Sequence, residues 1–208
     1  MQKLTSLSKN NIPKPDIKTM SWGRVLSYII ELESDDPDQA GATIKHTVQI
    51  VIKESDDHLG KNADVNMHIS HGDDPYTQAF DWRDSRTVND KKIRKPMASM
   101  STTLKIFKHR KAIMIDYLNT ADPHSLVSQA FKRDRSRIKL YDRHFRDIGK
   151  KAKFILKKFN PGEHDAFFYY FLLRPQNTRE QNKKSMLFWL PLSYTLANLD
   201  DIKWQMMY

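Results

Sequence analysis

The residues best placed to do chemistry in this chain are its cations. Residues 132–158 hold twelve Lys and Arg against three acids, Asp134, Asp142 and Asp147. The basic members are Lys132, Arg133, Arg135, Arg137, Lys139, Arg143, Arg146, Lys150, Lys151, Lys153, Lys157 and Lys158. A second group, Lys91, Lys92, Arg94, Lys95, Lys105, Lys108, Arg110 and Lys111, contains no acid at all. Lys and Arg at this density suit phosphate, which they bind by neutralising charge and releasing counterions. Phe131, Tyr141, His144 and Phe145 are interleaved with them and would stack on unpaired bases wherever a ring is exposed. The competing reading is a solvated basic face whose aromatics point into the core. We expect nucleic-acid contact by the first group together with Lys91, Lys92, Arg94, Lys95, Lys108, Arg110 and Lys111.

Other chemistry is thinly represented. His68, His71, Asp73 and Asp74 form the one metal-like group, but His residues three apart in a strand point to opposite faces. They would ligate together only if the strand ended at Ser70, so an ordinary strand exit and no metal are expected. No P-loop, Gly-x-Ser-x-Gly or His-Glu-x-x-His occurs. Asp116, Asp142 and Asp165 are single carboxylates that no spacing singles out, and Asp142 reads as the ion partner of Arg143, Arg137 or a neighbouring lysine. The expectation is a protein without catalysis and without a cofactor.

The bulk composition agrees with that reading. The 208-residue chain has a formal net charge of +10 and a pI near 9.6. Such a surplus favours polyanionic partners, nucleic acid first and an anionic membrane second. The absence of Cys excludes a disulfide framework, a zinc knuckle and a thiol nucleophile. The longest apolar run, AFFYYFLL at residues 166–173, is strand-sized and far short of the roughly 18 residues that span a bilayer. No apolar signal core is read at the N-terminus. KKIRK at residues 91–95 is similar to a short nuclear-import signal, a weak pattern.

These cations need a scaffold, and strands dominate the reading. Residues 1–20, broken by Pro13 and Pro15, read as a flexible N-terminal arm. Residues 21–208 read as one β-sandwich domain. Within it, residues 22–32 are apolar and β-branched. Residues 43–54 alternate through Ile44, His46, Val48, Ile50 and Ile52, and residues 63–70 through Val65, Met67 and Ile69. Residues 72–96 show no period and are expected to be a long loop. Residues 103–118 read as a hairpin around the basic KHRK turn, and residues 125–131 as a helical turn. Residues 166–175 read as a strand, 176–185 as a polar loop and 186–196 as a last strand with Pro191 at an edge or bulge.

Residues 137–159, RIKLYDRHFRDIGKKAKFILKKF, admit two structures. As a helix, Ile138, Tyr141, Phe145, Ile148, Ala152, Ile155 and Phe159 form one apolar stripe. Against it, Leu140, Phe154 and Leu156 fall outside the stripe, and Gly149 would sit mid-helix at a cost of about 1 kcal/mol relative to Ala. The aromatic strand beyond Pro161 also needs a partner. The balance favours two basic-faced strands joined by a bend at HFRDIGKK. The fold class expected is therefore all-β: an antiparallel sandwich, a single jelly roll, with few short helices.

Arg137-Ile-Lys-Leu-Tyr-Asp142-Arg-His-Phe145, the Lys-rich stretch ending at Asn160 and the aromatic FFYYFLLRP together resemble the C-terminal half of jelly-roll coat proteins. The likeness is to those of small single-stranded DNA viruses, circovirus-like and geminivirus-like. AIMIDYLNTADPHSL, which precedes them, is similar to the segment found there. The resemblance covers about residues 111–174. It implies a viral structural protein: a capsid subunit that self-assembles into a homo-oligomer, up to a shell, and binds single-stranded nucleic acid through basic faces. The virion and the host nucleus or cytoplasm would be its places. The chain departs from the pattern in lacking an Arg-rich arm, since the first 20 residues hold only Lys3, Lys9, Lys14 and Lys18. That departure keeps two alternatives: a non-capsid viral nucleic-acid-binding protein (movement, nuclear shuttle or silencing suppressor), and a basic matrix-type protein binding membrane and ribonucleoprotein.

Overall fold

Period-two stretches become strands where expected, but two basic segments become helices. The computed structural model describes residues 12–35, 41–57, 60–71, 83–88, 91–96, 100–131, 135–160 and 167–189. At 56–57, 70–71, 83–88, 91–96, 100, 131, 135–137, 167 and 188–189 it describes the backbone alone. In chain order the elements are β1 (Asp16–Met20), β2 (Gly23–Asp35), β3 (Thr43–Asp57), β4 (Gly60–His71), β5 (Arg83–Val88), β6 (Lys91–Pro96), α1 (Met100–Ala121), β7 (Ser125–Phe131), α2 (Arg135–Ala152), β8 (Ile155–Phe159), β9 (Phe167–Leu173) and α3 (Arg179–Trp189).

Seven strands make one mostly antiparallel sheet in the order β1-β2-β3-β4-β7-β9-β8, and β5 and β6 make a second, two-stranded sheet. β4 and β7 are the parallel neighbours, with Asn62 beside Ser125 and Asp64 beside Val127. The chain divides into two compact units. One is built from Met1–Ile17, Leu26–Val51 and Met67–Ile113, the other from Lys18–Val25, Ile52–Asn66 and Met114–Tyr208.

In the first unit, the alternation of β2 and β3 buries Leu26, Tyr28, Ile30, Val48 and Ile50. His46 continues the buried row of β3, and its Nε2 lies 2.6 Å from Ser34 Oγ on β2. In the second unit, β7 and β8 both run antiparallel to β9 and flank it, so α2 bridges two parallel strands with a third between them. The paired registers put Val127, Phe159, Tyr169, Phe171 and Leu173 on one face, where Met186 and Leu187 of α3 cover them. Tyr170 and Leu172 face the other way, toward α2.

Several expectations are corrected. Residues 103–118 are not a hairpin but part of α1, a helix of 22 residues. Thr102, Ile106, Phe107, Arg110, Ile113, Met114, Tyr117 and Leu118 are buried along it, spaced for one helical face. The helix ends where Asp122 takes φ 44° just before Pro123, a left-handed cap followed by a residue that cannot continue a helix. Residues 125–131 are strand β7, not a helical turn. Residues 176–185 are not all loop. Thr178 Oγ1 accepts from the Gln181 amide at 3.2 Å while Gln181 Oε1 accepts from the Thr178 amide at 2.7 Å, a reciprocal cap that starts α3. α3 also takes the first residues of the expected last strand, and residues 190–196 lie outside those described. Residues 72–96 contain β5 and β6, so that segment is not all loop. Of the expected arm, residues 1–11 lie outside the described set and β1 occupies Asp16–Met20.

The last correction concerns residues 137–159, where the helix prevails up to Ala152 and only β8 is strand. Leu140 does lie within the helix, half-buried outside the stripe, but the other objections are answered by the fold. Phe154 and Leu156 lie past its end and need no place in the stripe. β7 supplies the partner that β9 required. Gly149 belongs to the ending itself: Lys153 takes φ 60°, and the Phe154 amide donates to the Gly149 carbonyl at 2.9 Å, the six-to-one bond of a Schellman cap. A Cβ built on Gly149 would stand 3.0 Å from the Phe154 carbonyl oxygen and 3.2 Å from Leu172 Cδ2. The expectation of few short helices therefore fails.

A testable consequence follows from that close approach. In an open helix, Gly→Ala stabilises by about 1 kcal/mol. Here Gly149→Ala is expected to destabilise, by about 1–3 kcal/mol, because the methyl group overpacks against backbone and Leu172. Urea unfolding of the variant measures it, and a gain in stability would show that α2 does not press on β9 as described.

Candidate nucleic-acid interface

α2 sorts its residues into two faces. Tyr141, Phe145, Ile148 and Ala152 are buried, while Lys139, Arg143, Arg146 and Lys150 are exposed. The basic residues are spaced four, three and four apart, which places them in one row on the helix surface. At 100° per residue that row lies opposite the apolar stripe. Lys151 and Lys153 are exposed near the C-terminal end of the helix, where cations also complement the helix dipole.

The buried face fixes the helix on the sheet. The Phe145 ring stacks on Tyr170 of β9, centroids 4.8 Å apart and planes 13° from parallel. Tyr141 lies 6.1 Å from Tyr170, and His144 meets Phe145 edge-on at 5.6 Å. Tyr141, His144 and Phe145 are thus core residues and offer no ring for base stacking. The Phe131 side chain lies outside the described residues.

Both acids of the described helix have a lysine of their own. Asp142 Oδ1 accepts from Lys158 Nζ at 2.8 Å and from the Tyr170 hydroxyl at 2.7 Å. Lys158 Nζ also sits 4.4 Å from the centre of the Phe168 ring. Burial by itself would raise the Asp142 pKa. The hydrogen bonds from Lys158 and Tyr170 and the charges of Lys158 and Arg146 outweigh it and hold the carboxyl below its ordinary value. Burial, then the Asp142 carboxylate, pushes the Tyr170 phenol up. Asp147 lies 3.9 Å from Lys151, an exposed pair of little energetic weight. What these pairs do is leave the Lys139–Lys150 row without an acid in it.

The remaining expected residues divide. Arg110 is 1% exposed and belongs to the buried face of α1, so it presents no cation to a ligand. Lys108, Lys111 and Lys157 are half-buried, and Lys158 is engaged by Asp142. Lys91, Lys92, Arg94 and Lys95 lie on β6, and Arg135 and Arg137 in the first turn of α2, all with backbone alone described. Lys132 and Arg133 fall outside the described residues, as do Asp73, Asp74 and Asp165. His68 is half-buried on β4, and His71 ends that strand with its backbone alone described. The sequence reading gives no role to Tyr170; it names Lys139, Arg143, Arg146 and Lys150 but, in favouring strands, does not set them in one row, although their four-three-four spacing is the signal for it.

Two other polar clusters bear on chemistry. Ser34 and His46 pair a hydroxyl with an imidazole, and burial holds His46 below its ordinary pKa. His46 is 0% exposed, so the pair is sealed between strands and serves packing. The buried Glu54 carboxylate accepts from Arg24 Nε at 2.6 Å and the Tyr117 hydroxyl at 3.0 Å, an anchor for the end of α1. No family model, curated protein or solved structure matches the chain.

Asp142 gives a measurable pH dependence. Its folded-state pKa is depressed, so its contribution to stability is present above the unfolded value near 3.8 and is lost as pH falls through the lower folded value. Asp142→Ala should cost about 1–3 kcal/mol near neutral pH, chiefly by stranding the Tyr170 hydroxyl, since the half-exposed lysine pair contributes little. The deficit should shrink as pH falls below the ordinary carboxylate value and the wild-type carboxyl protonates. Chemical unfolding across a series from pH 7 down into the acid range checks both, and a deficit that stays constant throughout the series would contradict the assignment.

Proposed function

We propose that this chain binds nucleic acid by laying the phosphate backbone along the outer face of α2. One observation carries the reading: Lys139, Arg143, Arg146 and Lys150 form an exposed, acid-free row on a helix whose opposite face is locked into the core. The row spans twelve residues, from 139 to 150, or about 16 Å over eleven rises of ~1.5 Å, enough to follow several phosphates. With Tyr141, His144 and Phe145 buried, charge rather than stacking on those rings supplies the affinity. Contact with anionic membrane is the competing use of the same charges.

A coat-protein subunit, assembled from jelly-roll sandwiches as the resemblance implies, is the second reading. The observation that favours assembly is the edge strand β1, all five of whose residues are exposed, Ile17 and Met20 among them. Bare edges of this kind are where chains add to one another. Negative-stain microscopy with and without nucleic acid separates shells from discrete complexes.

The test of the first reading is the salt dependence of binding. Replacing Lys139, Arg143, Arg146 and Lys150 by Ala should weaken nucleic-acid binding and flatten log K against log salt by about 3–4 units. All four side chains are exposed, so the fold should survive within about 0.5 kcal/mol per site. Fluorescence anisotropy across a salt series measures it. An unchanged slope would remove α2 from the interface.

A further inference from the structure

Outside α2, the densest charge lies on the two-stranded sheet of the first unit. β5 and β6 pair antiparallel, with Arg83 opposite Pro96, Asp84 opposite Lys95, Ser85 opposite Arg94, Arg86 opposite Ile93, Thr87 opposite Lys92 and Val88 opposite Lys91. Partners in an antiparallel pair share a face, and faces alternate along the strand. Arg83, Arg94 and Lys92 therefore fall on one face, with Ser85, Thr87 and Pro96 and no acid. Arg86 and Lys91 fall on the other, with Val88, Ile93 and the Asp84–Lys95 pair.

That arrangement is poor at holding itself together. Two strands alone are marginal in water, and here six cations face a single acid within the paired residues. Like charges close together on a ribbon repel, so a polyanion laid against it would relieve the repulsion. The dimensions narrow the choice. Six residues at ~3.4 Å each give a ribbon about 20 Å long and two strands wide. The B-form major groove, about 12 Å across, admits a two-stranded ribbon, whereas the deep, narrow major groove of A-form RNA does not. Neither strand contains Phe, Tyr or Trp, so the ribbon has no platform for splayed single-stranded bases.

We propose that the β5–β6 ribbon, on which Arg83, Lys92 and Arg94 share one face, is a second binding element for double-stranded DNA, whose major groove admits a ribbon of this width. Sequence reading alone places Lys91–Lys95 in a loop and gives no role to Arg83. The strand pairing brings Arg83 onto the same face as Arg94 and Lys92. This inference shares with the α2 reading only the expectation that the ligand is nucleic acid.

The experiment compares the full chain with its Arg83→Ala/Lys92→Ala/Arg94→Ala variant on a 20-base-pair DNA duplex, the matching single strand, a duplex RNA and anionic vesicles, across a salt series. The variant should lose at least tenfold in affinity for duplex DNA, and its salt slope should fall by about 2–3 units. Single strand, RNA and vesicles should change less than threefold. A second variant, Arg83→Lys/Arg94→Lys, keeps the charge and should keep the slope, which guards against a ribbon that fails to form. Unchanged duplex-DNA binding would overturn the proposal. So would an equal loss on all four ligands, or a loss confined to vesicles. If the four-alanine α2 variant binds like wild type while the ribbon variant does not, the ribbon stands and the α2 reading falls. The converse result leaves α2 standing and overturns the ribbon.

Discussion

The contact between α2 and β9 sets most of what this protein can present to a partner. Phe145 stacks on Tyr170, Gly149 leaves room for Leu172, and the Tyr170 hydroxyl reaches up to Asp142 at the edge of the helix. Together they fix the rotation of α2 about its axis. Once that rotation is set, the basic row has only one direction available, away from the sheet. A helix rolled by one residue, about 100°, would carry Arg143 toward the sheet and expose Phe145. Core packing therefore decides the electrostatics of the surface.

The same contact explains how the acids are handled. A carboxylate beside a row of cations would cancel part of its charge, and α2 carries two, Asp142 and Asp147. Asp142 is tied down by the Tyr170 hydroxyl and Lys158, and Asp147 lies near Lys151. The hydrogen-bonded and closest ion pairs use lysines outside the row, and of the row only Arg146 adds its charge to the stabilisation of Asp142. Lys158 is committed to structure by its pair with Asp142, and the Phe168 ring lies beside it.

Local pattern made part of this legible. The alternation at β3 and β4 and the aromatic run of β9 specify strands whatever surrounds them. The apolar residues of α1 also fall at helical spacing, a period that the hairpin reading of residues 103–118 passes over. The basic KHRK segment reads as a turn only when the place of Arg110 in the buried stripe is overlooked. At residues 137–152 the sequence carries both periods, and the choice belongs to tertiary contacts: β7 beside β9, and a Schellman cap that turns Gly149 from a helix breaker into a requirement. No single-segment reading contains those partners. The Thr178–Gln181 cap, by contrast, is a local signal that was present in TREQ. For the candidate interface, composition marks residues 132–158 as basic, but only the helix distinguishes the four exposed cations from Lys158 at the sheet.

Lysine footprinting tests the central claim most directly: acetylation of the intact protein with and without bound nucleic acid, read by mass spectrometry. The account predicts that Lys139 and Lys150 become protected on binding while Lys158, already held by Asp142, reacts to the same extent in both states. Protection that bypasses Lys139 and Lys150 would contradict it.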